Sequence, residues 1–380
     1  MIKFVDPPIG EDEQKAVAEV LASKYLAEGP VAREFEKEFS EFVGSKHVIT
    51  TTNGTTALHL GLEALGIKPG EEIITTPFTF IASSNSILFN GAIPIFVDID
   101  PETYNLDPTK IEEKITDKTK AIMPVHIFGN PCDMKAINDI AEDNELLIIE
   151  DACQAHGAKI DGQHVGTFAD VGCFSFYATK NLTFGEGGAI VTDNDELKDT
   201  ITSLKNHGRT PKGGYHHIRI GYNMRTTNIC AAIGLEQLRK LPELLQIRAR
   251  NKAILEEETK DIEGFALQKT LPNHTHANYI AAGRTDKKKL PVTKVIEELK
   301  ARDIGSRQIY AIPSYQQPAY QNINSYYYWS EFITFPDYSA VHCLIAERIG
   351  NTHFEIPIIP TLTEEQMHYI TNALNEIFNQ

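Results

Sequence analysis

The sequence lacks any cysteine pattern that would hold a metal ion or a structural disulfide. Its five cysteines are scattered along the chain, with no CxxC pair and no metal-ligand spacing. Isolated cysteines of this kind are typical of reduced intracellular thiols. We therefore expect neither a structural metal nor a disulfide. The five residues are Cys132, Cys153, Cys173, Cys230 and Cys343.

Long apolar runs and an excess of positive charge are also missing. No apolar stretch approaches membrane-spanning length, and the opening MIKFVDPPIGEDE has no basic segment followed by an apolar one. The 36 lysines and arginines face 52 aspartates and glutamates, which gives a formal net charge of −16. Such a balance repels nucleic acids and anionic membrane surfaces. We expect a cytoplasmic protein that binds neither.

Short apolar runs alternate with helical patterns between about residues 39 and 191. Hydrophobic residues make up 42% of the 380 residues and charged residues 23%, which is enough for a sizeable core. The alternation predicts an α/β fold with a mainly parallel sheet covered by helices. The predicted strands are HVITT at 47–51, EIITT at 72–76, IPIFVDI at 93–99, AIMPV at 121–125, LLIIE at 146–150 and VGCFSF at 171–176.

The rest of the chain predicts a second, smaller domain. An apolar helical segment at 233–241 is followed by Pro242 and a charged stretch, which indicates a long connecting helix. Further helical patterns occur at 292–305 and 363–379. We place the boundary near residue 245, which gives a large domain of residues 1–245 and a small domain of residues 246–380.

Two polar segments follow predicted strands, at the edge where ligands gather in open α/β sheets. In NGTTALHLGLEALG, Gly54, Thr55 and Thr56 would lie at a helix N-terminus. Free N–H groups there suit a phosphate, although an ordinary helix cap has the same pattern. In EDACQAHG, Asp151 would end a buried strand. A carboxylate there fits a bound ligand, a helix cap or a metal.

A third segment, SFYATKNLTFGEGGAIVT, places Lys180 after a buried strand and before a glycine-rich turn into another strand. Apolar walls around a lysine would favour its neutral amine, which is the form that attacks a carbonyl. An isolated lysine is nevertheless a surface residue far more often than a catalyst. The occurrence of all three segments in this order favours a functional site more strongly than any one segment does.

Together with other stretches, they resemble the DegT family of pyridoxal 5'-phosphate (PLP)-dependent sugar aminotransferases. The similarity runs from about residue 7 to the final helix. It implies fold type I of the aspartate aminotransferase superfamily: a large PLP-binding domain with a mainly parallel mixed sheet between helices, and a smaller α+β C-terminal domain. The matching stretches include LAEGPVAREFEKEF, NGTTALHLGLEALG, PFTFIASSNSILFNGAIPIFVDID, EDACQAHGA, FSFYATKNLTFGEGGAIVTD, NHGR and GYNMRTTNICAAIGLEQL.

The resemblance implies a role for each matching residue around the cofactor. Lys180 would hold PLP as a Schiff base and, once released, move a proton during the reaction. Asp151 would pair with the pyridine nitrogen, Gln154 would contact the ring hydroxyl, and Phe80 would stack on the ring. The phosphate would rest on Gly54, Thr55 and Ser175, with Asn223 reaching in from a second subunit.

The same resemblance implies residues that bind the substrates. Arg225 in GYNMR would grip the carboxylate of an amino donor, because a guanidinium matches a carboxylate with two hydrogen bonds; an interface salt bridge is the alternative. His207 and Arg209 in NHGR would border the sugar-nucleotide cleft, or would simply form a loop after a helix. Tyr315 stands where the family often has histidine in a substrate loop. A site shared between subunits implies a homodimer.

The activity that follows is a ping-pong transamination. L-Glutamate, the usual donor in the family, would give its amino group to a nucleoside-diphosphate 3- or 4-keto-deoxysugar. Alternative acceptors are a cyclitol ketone or an aromatic precursor, and a non-catalytic PLP-binding regulator or sensor is the alternative of another class. Relatives that dehydrate sugars replace the Schiff-base lysine by histidine, so lysine at position 180 disfavours that reaction.

Overall fold

A seven-stranded mixed sheet forms the centre of the protein, whose structure is a computed structural model that describes residues 1–210, 214–287 and 289–379. The strand order in this sheet is β1-β9-β8-β5-β4-β2-β3. In chain order the strands are β1 His47–Thr51, β2 Glu72–Thr75, β3 Ile93–Phe96, β4 Thr119–Met123, β5 Leu147–Asp151, β6 Lys159–Ile160, β7 Gln163–His164, β8 Val171–Ser175, β9 Gly188–Thr192, β10 Phe265–Leu267, β11 His274–Thr275, β12 Ala281–Thr285 and β13 His353–Ile356.

Helices surround the sheet and continue into the C-terminal part. They are α1 Glu11–Ser23, α2 Pro30–Val43, α3 Gly54–Ala64, α4 Ala82–Phe89, α5 Met134–Asp143, α6 Asp195–Leu204, α7 Asn228–Thr259, α8 Val292–Ala301, α9 Pro318–Gln321, α10 Ile323–Tyr326, α11 Leu344–Thr352 and α12 Glu364–Phe378. Within the described ranges, none of these helices is long and apolar enough to cross a membrane.

The predicted α/β fold is confirmed. The six predicted strands correspond to β1, β2, β3, β4, β5 and β8, with ends displaced by at most a few residues. Strands β3, β2, β4, β5 and β8 pair in parallel, whereas β9 runs antiparallel to both β8 and β1. The sheet is therefore mixed but mainly parallel.

Both faces of the central sheet are buried, which explains why its strands are apolar at successive positions. Side chains of a strand alternate between the two faces. Accordingly, Val48 and Ile148 pack with α2, α5 and the first half of α7, while their neighbours Ile49 and Ile149 pack with α3, α4 and α6. The first turn of α3, which the sequence predicts as a phosphate site, thus packs directly against the sheet.

The C-terminal part has its own antiparallel sheet, in the order β10-β12-β13. Helices α8 and α12 and the end of α7 cover it through an apolar cluster that includes Leu255, Val295 and Phe354. Helix α7 continues through Pro242 and so joins the apolar segment 233–241 to the charged stretch that follows it. Proline at this position removes one helical N–H donor. The domain boundary at residue 245, inside α7, stays a prediction.

Candidate active site

A cavity of about 800 Å³ opens where the parallel strands of the central sheet end. Strand β5 ends at Asp151, which pairs with Cys173 of β8, and β8 itself ends two residues later. The polar segments that follow these strands therefore converge. Seven of the residues predicted from the sequence line this one cavity: Gly54, Thr55, Phe80, Asp151, Gln154, Ser175 and Lys180.

The first turn of α3 forms one end of the cavity. Asn53 caps this helix by accepting a hydrogen bond from the Thr56 N–H at 2.9 Å. The N–H groups of Gly54 and Thr55 precede the first intrahelical bonds, so they remain available to an anion. A Cβ atom on Gly54 would lie 2.7 Å from Cβ of Ser175. Glycine therefore lets the helix approach close enough for the Ser175 hydroxyl to share the cradle.

Asp151 lies at the floor of the cavity and is 4% exposed. Its Oδ2 accepts a hydrogen bond from the Ser83 hydroxyl at 2.7 Å, and its Oδ1 accepts one from the Cys153 N–H at 3.1 Å. A parallel bridge to Val125 fixes the backbone of the strand end. These contacts hold the carboxylate in one orientation, where it can support a cationic ring nitrogen.

Lys180 lies in a turn between β8 and β9. Its N–H donates to the Tyr177 carbonyl at 2.9 Å, and Asn181 next to it donates to the Ala277 carbonyl at 2.8 Å. The ammonium of Lys180 lies over the ring of Tyr279, with Nζ 4.5 Å from the ring centre. The amine predicted as the nucleophile thus faces the cavity that contains Asp151.

The remaining walls are aromatic and amide groups. Phe80, just before α4, is 58% exposed on the cavity side of the chain. Gln154 accepts a hydrogen bond from the Phe128 N–H at 2.9 Å, and its amide donates to the Tyr310 hydroxyl at 3.4 Å. Burial, followed by the nearby Asp151, raises the pKa of the Cys153 thiol well above its usual value. That thiol therefore stays protonated and is not a competing nucleophile.

Four predicted residues lie outside this cavity in the same chain: His207, Arg209, Asn223 and Arg225. They belong to the segment after α6, in which an antiparallel bridge joins Asn206 to Asn223. Arg225 donates to Oδ1 of Asn206 at 2.7 Å, and the guanidinium of Arg209 lies over the Tyr215 ring at 4.8 Å. The structure describes one chain, so contacts of this segment with a second copy stay predictions.

The structure does not bring Tyr315 to the cavity. Its ring is 1% exposed and packs against Phe96 beside the edge of the central sheet. Its hydroxyl donates to Glu347 at 2.5 Å and accepts a hydrogen bond from the Cys343 N–H at 2.9 Å. Both sides of the hydroxyl are therefore occupied and Tyr315 lies outside this cavity, while its expected role in a substrate loop stays a prediction.

Sequence reasoning missed several residues of the cavity. Ser83 lies within one of the stretches that resemble the family. Its position four residues after Thr79, near the start of a helix, is the feature of the sequence that could have indicated it. Tyr279, Arg307 and Tyr310 come from the C-terminal part, where nothing in the local sequence marks them. Only the packing of that part against the central sheet brings them to Lys180.

Nearly the whole chain matches one protein family. A family model described as the DegT/DnrJ/EryC1/StrS aminotransferase family covers residues 7–375. The chain belongs to this family. The match includes nearly every described helix and strand, so it covers both the central sheet and the C-terminal part.

Individual relatives agree with this membership. The aminotransferase is 36% identical to GDP-perosamine synthase of Escherichia coli O157:H7, over 100% of this chain and 99% of that protein. It is 35% identical to the UDP-N-acetyl-3-dehydro-alpha-D-glucosamine 3-aminotransferase of Acidithiobacillus ferrooxidans, over 97% and 94% of the two chains. A solved structure of NtdA from Bacillus subtilis with bound cofactor PMP superposes with a TM-score of 0.86 at 31% identity, covering 98% of this chain and 83% of that one.

The protein is therefore a PLP-dependent aminotransferase of the sugar aminotransferase family. The cavity fits this cofactor chemically. A helix N-terminus with a serine hydroxyl suits a phosphate, a fixed carboxylate suits a pyridine nitrogen, and an amine suits an aldehyde. Glycine at position 54 lets the helix end lie directly beside Ser175, because a Cβ atom there would be only 2.7 Å from Cβ of that residue.

Proposed function

We propose that this aminotransferase transfers the amino group of L-glutamate to the keto carbon of a nucleoside-diphosphate 3- or 4-keto-deoxysugar by a ping-pong mechanism. The observation that carries the proposal is the meeting of Lys180, Asp151 and the Gly54–Thr55 helix end in one cavity. Two relatives are named for GDP- and UDP-linked amino sugars, and this supports a nucleotide-linked acceptor.

When bound, PLP supplies an aldehyde that condenses with an amine and a ring that draws electrons from the carbon beside it. We assign Lys180 as the amine that holds this aldehyde as a Schiff base in the resting enzyme. Once released, the Lys180 amine would carry the proton from Cα of the donor to C4' of the cofactor and, in the second half-reaction, from C4' to the former keto carbon of the acceptor. The backbone of Lys180 is held by the hydrogen bond to the Tyr177 carbonyl within the connection 176–187 between β8 and β9, which restricts where Nζ can reach.

The other residues orient the ring and stabilise its charge. Asp151 holds the proton on the ring nitrogen, because a buried carboxylate favours the cationic form of a partner beside it. The helix end at Gly54 and Thr55 and the Ser175 hydroxyl bind the phosphate. Phe80 covers one face of the ring and excludes water, while Gln154 lies within the same wall to contact the ring hydroxyl.

We further propose that the enzyme is a cytoplasmic homodimer with shared active sites. In this arrangement Asn223 completes the phosphate cradle of the partner and Arg225 binds the donor carboxylate there. His207 and Arg209, on the same segment, would border the acceptor. Their location outside the cavity of their own chain supports a role across the interface.

Sedimentation tests the dimer. We expect a dimer at assay concentrations and a loss of activity on dissociation. Mixing an inactive Lys180→Ala chain with an inactive Asn223→Ala chain should restore activity in part, because one site of each heterodimer would then carry neither substitution. A fully active monomer would remove the role given to Asn223 and Arg225.

The activity itself is tested by two half-reactions. Purified protein with PLP should release 2-oxoglutarate from L-glutamate, which a non-catalytic sensor would not do. The aminated form should then convert one of a panel of UDP-, dTDP- and GDP-linked 3-keto or 4-keto sugars, read by mass, with a cyclitol ketone included. Lys180→Ala should abolish turnover while PLP still binds without a covalent link; full transamination by that variant would contradict the proposal.

A further inference from the structure

The connection between α6 and α7, which the structure describes at residues 205–210 and 214–227, projects from the rest of the chain. It carries the four residues that the proposed dimer assigns to the partner's active site. Residues 214–220 are exposed along their whole length, and Asn223 is exposed as well. Exposed side chains pack against little, so the position of this connection depends on how its two ends are held.

Backbone hydrogen bonds fix the part of the connection around Asn223 to the end of α6. The Tyr222 N–H donates to the Leu204 carbonyl at 2.7 Å, and the Met224 N–H donates to the Lys205 carbonyl at 2.9 Å. Asn223 lies between these two hydrogen-bonded residues. The position of its side chain therefore follows the position of the backbone at Lys205.

The side chain of Lys205 holds this end of α6 in the protein. It is 3% exposed, and its Nζ donates to the Thr50 carbonyl of β1 at 2.9 Å. Nζ also forms ion pairs with Oε2 of Glu28 at 2.9 Å and with Oε1 of Glu36 at 3.6 Å. Oε1 of Glu36 itself accepts hydrogen bonds from the N–H and the hydroxyl of Thr50. One buried ammonium thus joins α6, β1, α2 and the segment before α2.

Glu28 links the same ammonium to the other end of the connection. Its neighbour Ala27 forms an antiparallel bridge with Thr227, the last residue before α7. The segment that supplies the carboxylate therefore also fixes the point at which the connection enters α7. The ion pair between Lys205 and Glu28 consequently holds both ends of the connection in place relative to each other.

The burial of this ammonium makes its contacts stronger than those of a surface ion pair. Exposed ion pairs are screened by water and contribute little to stability. Here the lysine side chain is 3% exposed, and those of Glu28 and Glu36 are 23% and 21% exposed. Loss of the ammonium would leave the two carboxylates close together without this cation between them, and like charges repel. We expect Glu28 then to turn away from Glu36, which releases the segment that fixes Thr227.

We propose that Lys205 is a positioning residue for the active site of the partner subunit. Its buried contacts fix both ends of the connection, so that Asn223 and Arg225 reach the phosphate and the donor carboxylate in the other chain. Lys205 is buried and does not line the cavity, so it acts through other residues. This inference rests on the proposed homodimer with shared sites and adds the residue that orients the shared segment.

Mixed dimers with a single complete site test this direction of action. A chain with Lys180→Ala supplies the connection, a differently tagged chain with Asn223→Ala supplies the cavity, and the heterodimer is isolated by both tags. Lys205→Met, which keeps the length of the side chain and removes its charge, is placed in one chain or the other. The measurement is the PLP concentration that half-saturates labelling of Lys180 trapped with borohydride. Only the complete site contains Lys180, so it alone is labelled.

The two placements of Lys205→Met should differ. In the chain that supplies the connection, the substitution should raise the half-saturating PLP concentration roughly 3- to 30-fold, a part of the contribution of one hydrogen bond to a charged group. In the chain that supplies the cavity, it should stay within about 2-fold, because the connection of that chain serves only the incomplete site. The KM for L-glutamate should rise in the first placement alone, through Arg225.

Two further variants control for charge and for folding. Lys198→Met removes an exposed lysine of α6 that pairs with Asp199, and it should change nothing in either chain. If Lys205→Met fails to fold, Glu28→Gln removes one carboxylate partner and leaves the ammonium with Glu36. Its effect should be roughly 2- to 5-fold and should again appear only in the chain that supplies the connection.

Equal effects in the two placements, or a larger effect in the chain that supplies the cavity, would overturn the inference, because Lys205 would then act within its own chain. So would unchanged PLP binding and KM in both placements. If the parent heterodimer binds PLP no better than the Asn223→Ala homodimer, the shared site is wrong and this inference falls with it. A heterodimer that binds PLP tightly but releases no 2-oxoglutarate from L-glutamate would contradict the transamination and leave the Lys205 result to stand by itself.

Discussion

At the scale of single residues, the orientation of the Asp151 carboxylate depends on Ser83. One hydroxyl fixes Oδ2 and one backbone N–H fixes Oδ1. Asp151→Asn removes the negative charge, and we expect turnover to fall by about 10²-fold or more, because charge stabilisation of this kind is a large term in catalysis. The measurement is the limiting rate of the glutamate half-reaction.

Ser83→Ala keeps the charge but frees one carboxylate oxygen. A hydrogen bond to a charged group contributes about 1.5–3 kcal/mol, so the same rate should fall roughly 10- to 100-fold if the whole contribution is used in catalysis. Ser84→Ala, on the same helix, removes a buried hydroxyl that donates to the Ile81 carbonyl and accepts from the Tyr320 hydroxyl, outside the cavity, and should leave the rate nearly unchanged. Equal effects of the two serine variants would show that Ser83 acts only through the stability of α4.

At the scale of elements, the approach of α3 to the end of β8 depends on the absence of a side chain at position 54. A Cβ atom there would lie 2.7 Å from Cβ of Ser175 and 2.9 Å from Sγ of Cys153, and these atoms belong to short side chains on well-packed elements. Gly54→Ala should therefore push the helix end away from the cradle. We expect about 1–3 kcal/mol of lost stability and weaker PLP binding, measured by denaturant unfolding and cofactor titration.

The matched control for this helix is Gly10→Ala. Gly10 also stands at the start of a helix, but the nearest atom to its added Cβ would be Glu13 Oε2 at 3.8 Å, an ordinary contact. Unchanged PLP affinity is expected there. If Gly54→Ala bound PLP as tightly as the wild type, α3 would have room to adjust and the cradle would not need glycine.

At the scale of the whole molecule, stability should depend on pH through buried histidines. Burial lowers the pKa of His164 and His353 to about 4 and that of His276 to about 3. In the unfolded chain these groups have pKa values near 6.5. Between about pH 6.5 and 4 the unfolded state therefore binds more protons than the folded state, and acidification through this window destabilises the fold.

Each fully neutral buried histidine contributes up to about 1.4 kcal/mol of lost stability per pH unit in that window. Above pH 6.5 these histidines contribute no slope. Denaturant unfolding between pH 7.5 and 4.5, with PLP in fixed excess, measures the effect. His164→Gln should reduce the pH dependence of the unfolding free energy by the uptake of about one proton. The ring of His164 is uncharged in the folded state, where it accepts from the Gly157 N–H and donates to the Val165 carbonyl. An unchanged slope would contradict this assignment.

The sequence by itself determined the central sheet and the order of the cofactor segments. Its strands are apolar at consecutive positions because both sheet faces are covered, and such runs are visible without a structure. Gly54, Asp151 and Lys180 lie at or after strand ends, and parallel strands bring their carboxyl ends to one edge, so these segments were candidates for a binding site. The roles of these residues, and the choice of Ser175, came from the resemblance to the family.

The tertiary structure alone decided which residues of the C-terminal part reach the cavity. Tyr315, expected there from its place in the sequence, is buried against Phe96, whereas Tyr279 and Tyr310 line the cavity. Their positions follow from the docking of one part of the chain on another, through hydrogen bonds between residues about 100 or more apart in sequence. Contacts over such separations leave no periodic signal in the chain, so the wall facing Lys180 appears only in the folded protein.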